Sequence, residues 1–217
     1  MTLFPARQVR PAERLADNAI HIVGVTAGIV ASVVLAVLSL PTAGARAVAG
    51  VSLYAGGLMA MLGCSALYNM APVGAFKRLL RRLDHAAIFV MIAGTYTPFS
   101  LEVIGGVWGD ALLAFVWTVA LAGVTLKLVW PHRFERLSIV IYLLLGWSVL
   151  VALEPLLANI STPGLVLLMA GGALYSLGVV FHVWNRLPFQ NALWHACVLA
   201  AAGCHYAAIL HDVVLNT

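Results

Sequence analysis

The chain has 217 residues, of which 63% are hydrophobic and only 9% charged. A soluble domain carries roughly 25% charged residues to wet its surface, so a water-soluble enzyme or binding module is excluded. A pI of about 9.2 does not point to nucleic acid, because the twelve Lys and Arg residues cluster in short stretches between apolar runs, as membrane topology requires.

Apolar runs of spanning length, about 20 residues each, fall at 17–40, 46–70, 83–103, 108–130, 137–154, 162–184 and 190–214. The segment before the first run is short and basic and lacks an apolar core ending in a small-residue cleavage site, so no cleaved signal peptide is expected. His21 lies inside this first run and is an open candidate for a site, although packing is the commoner role of such a histidine. The second run ends in Cys64-Ser65-Ala66-Leu67-Tyr68-Asn69, where Ser65 and Asn69 are four apart and share a helical face. The third begins Leu83-Asp84-His85 and later reads Ala93-Gly94-Thr95-Tyr96-Thr97-Pro98-Phe99. Pro98 removes a backbone donor and the nearby hydroxyls can satisfy the freed carbonyl, so this stretch predicts a kink or a close helix contact.

The fifth run is the shortest. Gly171, Gly172 and Gly178 in the sixth predict tight helix packing. The seventh begins Asn191-Ala192-Leu193-Trp194-His195, with Asn191 and His195 again four apart. Trp130, Trp147, Trp184 and Trp194 read as interfacial anchors. Cys64, Cys197 and Cys204 all lie in apolar runs; they form neither a disulfide framework nor a zinc spacing and read as small hydrophobes.

Charge sets a direction. Arg7, Arg10 and Arg14 precede the first run; Lys77, Arg78, Arg81 and Arg82 lie between the second and third; Lys127, Arg133 and Arg136 between the fourth and fifth; Arg186 between the sixth and seventh. Only Arg46 falls on the other side, whose loops hold Glu102, Asp110, Glu154 and Asp212. The positive-inside rule therefore places the N-terminus in the cytoplasm and the C-terminus outside. The expected fold is all-α: a single seven-transmembrane helix bundle over residues 1–217, in a cell inner (plasma) membrane. That direction puts the end of the second helix and the starts of the third and seventh at one depth near the cytoplasm. Polar groups inside spans are costly and usually face the bundle interior, so Ser65, Asn69, Asp84, Asn191 and His195 suggest a shared site. His205 lies ten residues beyond His195, roughly 15 Å along the helix at about 1.5 Å per residue, too far to join it. His85, His182, His132 and His211 read as interface or packing residues.

The Ser-x-x-x-Asn of 65–69, the segment LDHAAIFVMIAGTYTPF at 83–99, GGALYSLGVVF at 171–181 and NALWHACVLAAAGCH at 191–205 resemble the hemolysin III family, which belongs with the progestin and adipoQ receptors and the membrane ceramidases. The resemblance runs from Asp17 to His211. It implies seven helices and a zinc ion held by one histidine from a Ser-x-x-x-His motif and two from a His-x-x-x-His motif, with an aspartate supporting a metal-bound water. Here the positions corresponding to two of those ligands are Asn69 and Asn191, and only His195 remains, with Ser65 and Asp84 as candidate catalytic groups. An asparagine amide is a neutral oxygen donor better suited to hard cations, and a catalytic zinc normally takes three protein ligands from His, Cys and carboxylate. The expectation is therefore a degenerate zinc site without a cofactor, zinc standing as the alternative. The two asparagines are expected to hold the bundle's geometry by hydrogen bonding in place of metal. Two functions stay open: a non-catalytic role in membrane homeostasis, sensing or pore-associated cytolysis, and a zinc-dependent intramembrane lipid amide hydrolase. The expected partners are membrane lipid and a lipid ligand in the cytoplasmic-side pocket, with no nucleic acid.

Overall fold

A computed structural model describes residues 10–41, 43–131 and 133–216; Arg7 and His132, named above, lie outside the described residues. Among the described residues, seven helices are long and apolar enough to cross a membrane. They are α1 (Pro11–Ser39), α2 (Ala45–Met70), α3 (Ala75–Ile104), α4 (Gly106–Val129), α5 (Glu135–Asn159), α6 (Thr162–Val183) and α7 (Gln190–Leu215). No strand occurs among the described residues. Large apolar side chains such as Ile22, Val30, Val33 and Val37 on α1 and Val166 and Val180 on α6 are exposed. A soluble monomer rarely leaves contiguous apolar faces of this kind uncovered; in a bilayer they meet lipid. The protein is a multi-pass membrane protein.

The order of packing follows from residue size. α2 and α3 form the closest pair, with α1 beside α2, α4 beside α3, and α7 between α1 and α6. At the α2–α3 contact the missing side chains of Gly50, Gly57 and Gly94 let backbones approach: a Cβ on Gly94 would sit 3.0 Å from the Leu53 carbonyl oxygen. Small residues at such contacts are the usual means by which helices associate in lipid. The result is that α3 occupies the middle of the bundle, with 72% of its most apolar stretch buried against 17–44% for the other helices.

Polar groups stitch the irregular places. Pro98 ends the regular part of α3, which continues as a π-helical segment over Phe99–Ile104. The hydroxyls of Thr95 and Thr97 donate to the carbonyls of Met91 and Ala93, and Trp117 of α4 donates to Thr97 at 3.1 Å. The chain then reverses through Gly105 and Gly106, both at positive φ, a conformation that glycine adopts without steric cost. α5 is longer than its apolar run predicts, because it is broken rather than ended near Gly146, passing through a 3-10 turn at Ser148–Ala152. The Tyr96 hydroxyl closes that break, donating to the Gly146 carbonyl and accepting from the Val149 amide, each at 2.8 Å. Backbone groups freed inside a membrane need such partners.

Ion pairs tie neighbouring helices at both ends of the bundle. Arg81 at the start of α3 pairs with Glu135 at the start of α5, whereas Arg46 of α2 reaches Asp110 of α4 at the opposite end. Two expectations change. Lys127 is not a loop charge but a buried residue in the last turn of α4. Trp147 and Trp194 are not anchors at the rim: Trp147 donates to Ser176 at 3.1 Å, and Trp194 packs against Gly178 and the His182 ring. Trp130 and Trp184, each about half exposed, do stand at helix ends.

Candidate functional site

The polar side chains concentrate at the end of the bundle where α1, α3 and α7 begin and α2 ends. On α1, Glu13, Asp17, His21, Gly24 and Gly28, spaced three or four residues apart, form one buried stripe, as the helical repeat requires. Glycine in that stripe keeps α1 close to its neighbours: a Cβ on Gly28 would sit 2.6 Å from Leu62 of α2. The same closeness brings the polar half of the stripe against α7. His195 Nδ1 lies 2.6 Å from Asp17 Oδ1, and His21 Nε2 lies 3.8 Å from Asp17 Oδ2. The two imidazole rings are 4.3 Å apart between centroids. The Asp17 carboxylate thus lies beside two histidines, in ring contact with each other, contributed by two helices. Asp17 and His21 are buried and His195 nearly so, and one ligand-capable atom from each lies within 4.8 Å of the other two.

Asp84 completes the cluster from α3. Its carboxyl lies close to Ser65 of α2 and within electrostatic range of His195. Ser65, Asp84 and His195, expected to share a site, lie near the same end of the bundle. The two asparagines behave differently. Asn69 is half buried, and its amide donates at 2.9 Å to the Ser65 carbonyl of its own helix. Asn191 is exposed. The zinc set implied by the resemblance, at 69, 191 and 195, thus presents one imidazole, one amide bonded within its own helix and one exposed amide. That donor set does not fit a zinc ion.

The remaining histidines disperse as their spacing predicts, His21 excepted. His205 contacts Tyr175 and Gly171 deeper in the bundle, the His85 carbonyl accepts from Tyr142, and His211 lies 3.3 Å from Ser161 at the opposite end. The residue that sequence reading missed is Asp17. As the first residue of the first apolar run it reads as a boundary charge, yet α1 begins at Pro11, which carries Asp17 inside the bundle. Its spacing of four from His21 was the available signal.

The described residues thus make a seven-helix membrane bundle with a His–Asp–His cluster near one end. The chain belongs to the haemolysin-III-related family, whose sequence profile matches residues 14–206. It is 35% identical to Hemolysin-3 of Bacillus cereus over 202 residues, 93% of this chain and 92% of that one. It is also 35% identical to the Hemolysin-3 homolog of Bacillus subtilis over 198 residues, covering 91% and 93% of the two chains. The human monocyte to macrophage differentiation factor is 30% identical over 166 residues, 72% of this chain and 67% of that protein. No solved structure matches the chain significantly.

Proposed function

We propose that this haemolysin-III-related protein is a non-catalytic component of the plasma membrane, with its N-terminus in the cytoplasm, that responds to membrane lipid. The observation that carries this reading is the placement of Asn69 and Asn191: one is hydrogen-bonded within its own helix and the other is exposed, so the family-type hydrolytic zinc set is not assembled. Lipid enters through the seam between α1 and α7. Its outer side holds an apolar groove of about 430 Å³ lined by Ala19, Ile20, Val23, Ala196, Leu199 and Ala200. Its inner side holds Asp17, His21 and His195. Ile20 and Ala196 adjoin His21 and His195 in sequence, so an acyl chain that parts the two helices shifts the groups behind them. Cytolysis is the pore-associated form of the same reading.

The second reading, a metal-dependent lipid amide hydrolase, is favoured by one observation: Asp17, His21 and His195 still converge beside Asp84. The protein reconstituted in lipid nanodiscs and offered ceramide-like amides separates the two. Absence of turnover, with and without added zinc, is the expected result; turnover that a chelator abolishes would establish the hydrolase instead. Dye release from liposomes carrying the protein tests the cytolytic form.

A further inference from the structure

We infer that this chain has a divalent transition-metal site of its own, formed by Asp17, His21 and His195 across the α1–α7 seam, in place of the set its family resemblance implies. Only His195 is common to the two sets. The inference does not depend on whether the protein is catalytic.

Three observations carry it. The first is distance. Three ligands at 2.0–2.2 Å around a tetrahedral zinc lie about 3.4 Å from one another. The observed separations from Asp17 to the two imidazole nitrogens, 2.6 and 3.8 Å, fall on either side of that value. The three ligand atoms lie within 4.8 Å of one another, so side-chain movement of about an ångström brings them to ligand spacing without a rearrangement of helices. The second is an unsatisfied group. His21 is 6% exposed, and its Nε2 is buried without a hydrogen-bond partner. A buried nitrogen of this kind is costly unless something engages it, and it points at the carboxylate that the second histidine also engages. The third is support. A metal-bound histidine ordinarily offers its other ring nitrogen to a nearby carboxylate that fixes its tautomer, and a second carboxyl, Asp84, lies within electrostatic range of His195.

The donor set gives the chemical class. Two imidazoles and one carboxylate suit zinc, cobalt and ferrous iron and are poor for calcium or magnesium, which prefer oxygen. Two ligands one helical turn apart on α1 are preorganised before α7 contributes the third, and three protein ligands leave a coordination position open. An imidazole ligates only through a deprotonated nitrogen, so metal binding at this site weakens as pH falls.

The test uses full-length protein, stripped with chelator in mild detergent and titrated with Co²⁺ alone while its d–d absorption is recorded. One Co²⁺ per chain is expected, with a tetrahedral or five-coordinate spectrum. His21→Ala should weaken binding by more than about 100-fold, beyond what loss of an outer-shell group costs, whereas Asn69→Ala and Asn191→Ala should stay within about threefold of the parent. His21→Cys keeps a ligand at the position and should add a thiolate-to-cobalt charge-transfer band, a signature that a packing role for residue 21 cannot produce. That variant decides the matter if His21→Ala does not fold. Absence of stoichiometric Co²⁺ binding, unchanged binding in His21→Ala, or Co²⁺ bound by His21→Cys without the new band would each overturn the site.

Discussion

The bundle carries a histidine close to an aspartate at both ends, and the two clusters differ in what their polar atoms engage. At the far end from α1's start, Asp212 accepts the Ser161 amide at 3.1 Å. The Ser161 hydroxyl accepts the Gly164 amide at 3.0 Å, and His211 lies beside both Ser161 and Asn216. Those contacts cap the first turn of α6, whose amides have no partner within the helix. At the near end, Asp17, His21 and His195 cap nothing. They lie in mid-helix, where backbone groups already have partners, and their atoms converge on one another. The same residue types thus serve local structure where a helix begins and make a ligand-type cluster where two helix interiors face.

The largest effect expected from this contrast is at Gly164. A Cβ there would sit 1.6 Å from Asp212 Oδ2, so Gly164→Val must expel the carboxylate and with it the cap. Overpacking and cap loss together should cost about 3 kcal/mol, read as a lower Tm in detergent. A loss below about 1 kcal/mol would mean that Asp212 does not hold α6. Next in size is Asp17→Ala, which leaves His195 without its 2.6 Å partner inside the bundle. Leaving a buried polar group without its hydrogen-bond partner costs about 2 kcal/mol, measured in the metal-free protein. An unchanged Tm would break the comparison, because the near-end cluster would then be no more than adjacency.

Much of this was legible in the chain. Seven apolar runs and the alternating charges specify the helix count, because spans must be apolar and of fixed length. Placing three helix ends at one depth put Ser65, Asp84 and His195 at the same end of the bundle, where their helices lie. The α5 break was not legible, since it depends on the Tyr96 hydroxyl, which arrives from a helix fifty residues away. Asp17 was obscured for a different reason. Hydropathy counts a charge as the end of a span, whereas α1 extends one and a half turns further, with its buried face continuing through Glu13. The inward turn of His21 depends on Gly24 and Gly28 lying against α2 and α7, a matter of packing that periodicity along one helix does not reveal.

The two asparagines sharpen the comparison at the small end of the scale. Asn69→Ala removes a half-buried hydrogen bond to the Ser65 carbonyl, which already has its helical partner, so a cost of about 0.5–1 kcal/mol is expected. Asn191→Ala should be smaller still. The residue is exposed in the first turn of α7, where truncation of a side chain is normally worth less than about 0.5 kcal/mol. Its neighbour one turn on, His195, is held by Asp17 of α1 and does not rely on it. Melting curves of Asn191→Ala and Asp17→Ala in the same detergent should therefore differ several-fold in their shift. If Asn191→Ala shifted Tm as far as Asp17→Ala does, residue 191 would be part of the cluster, and α7 would present the paired ligand positions that the family pattern places there.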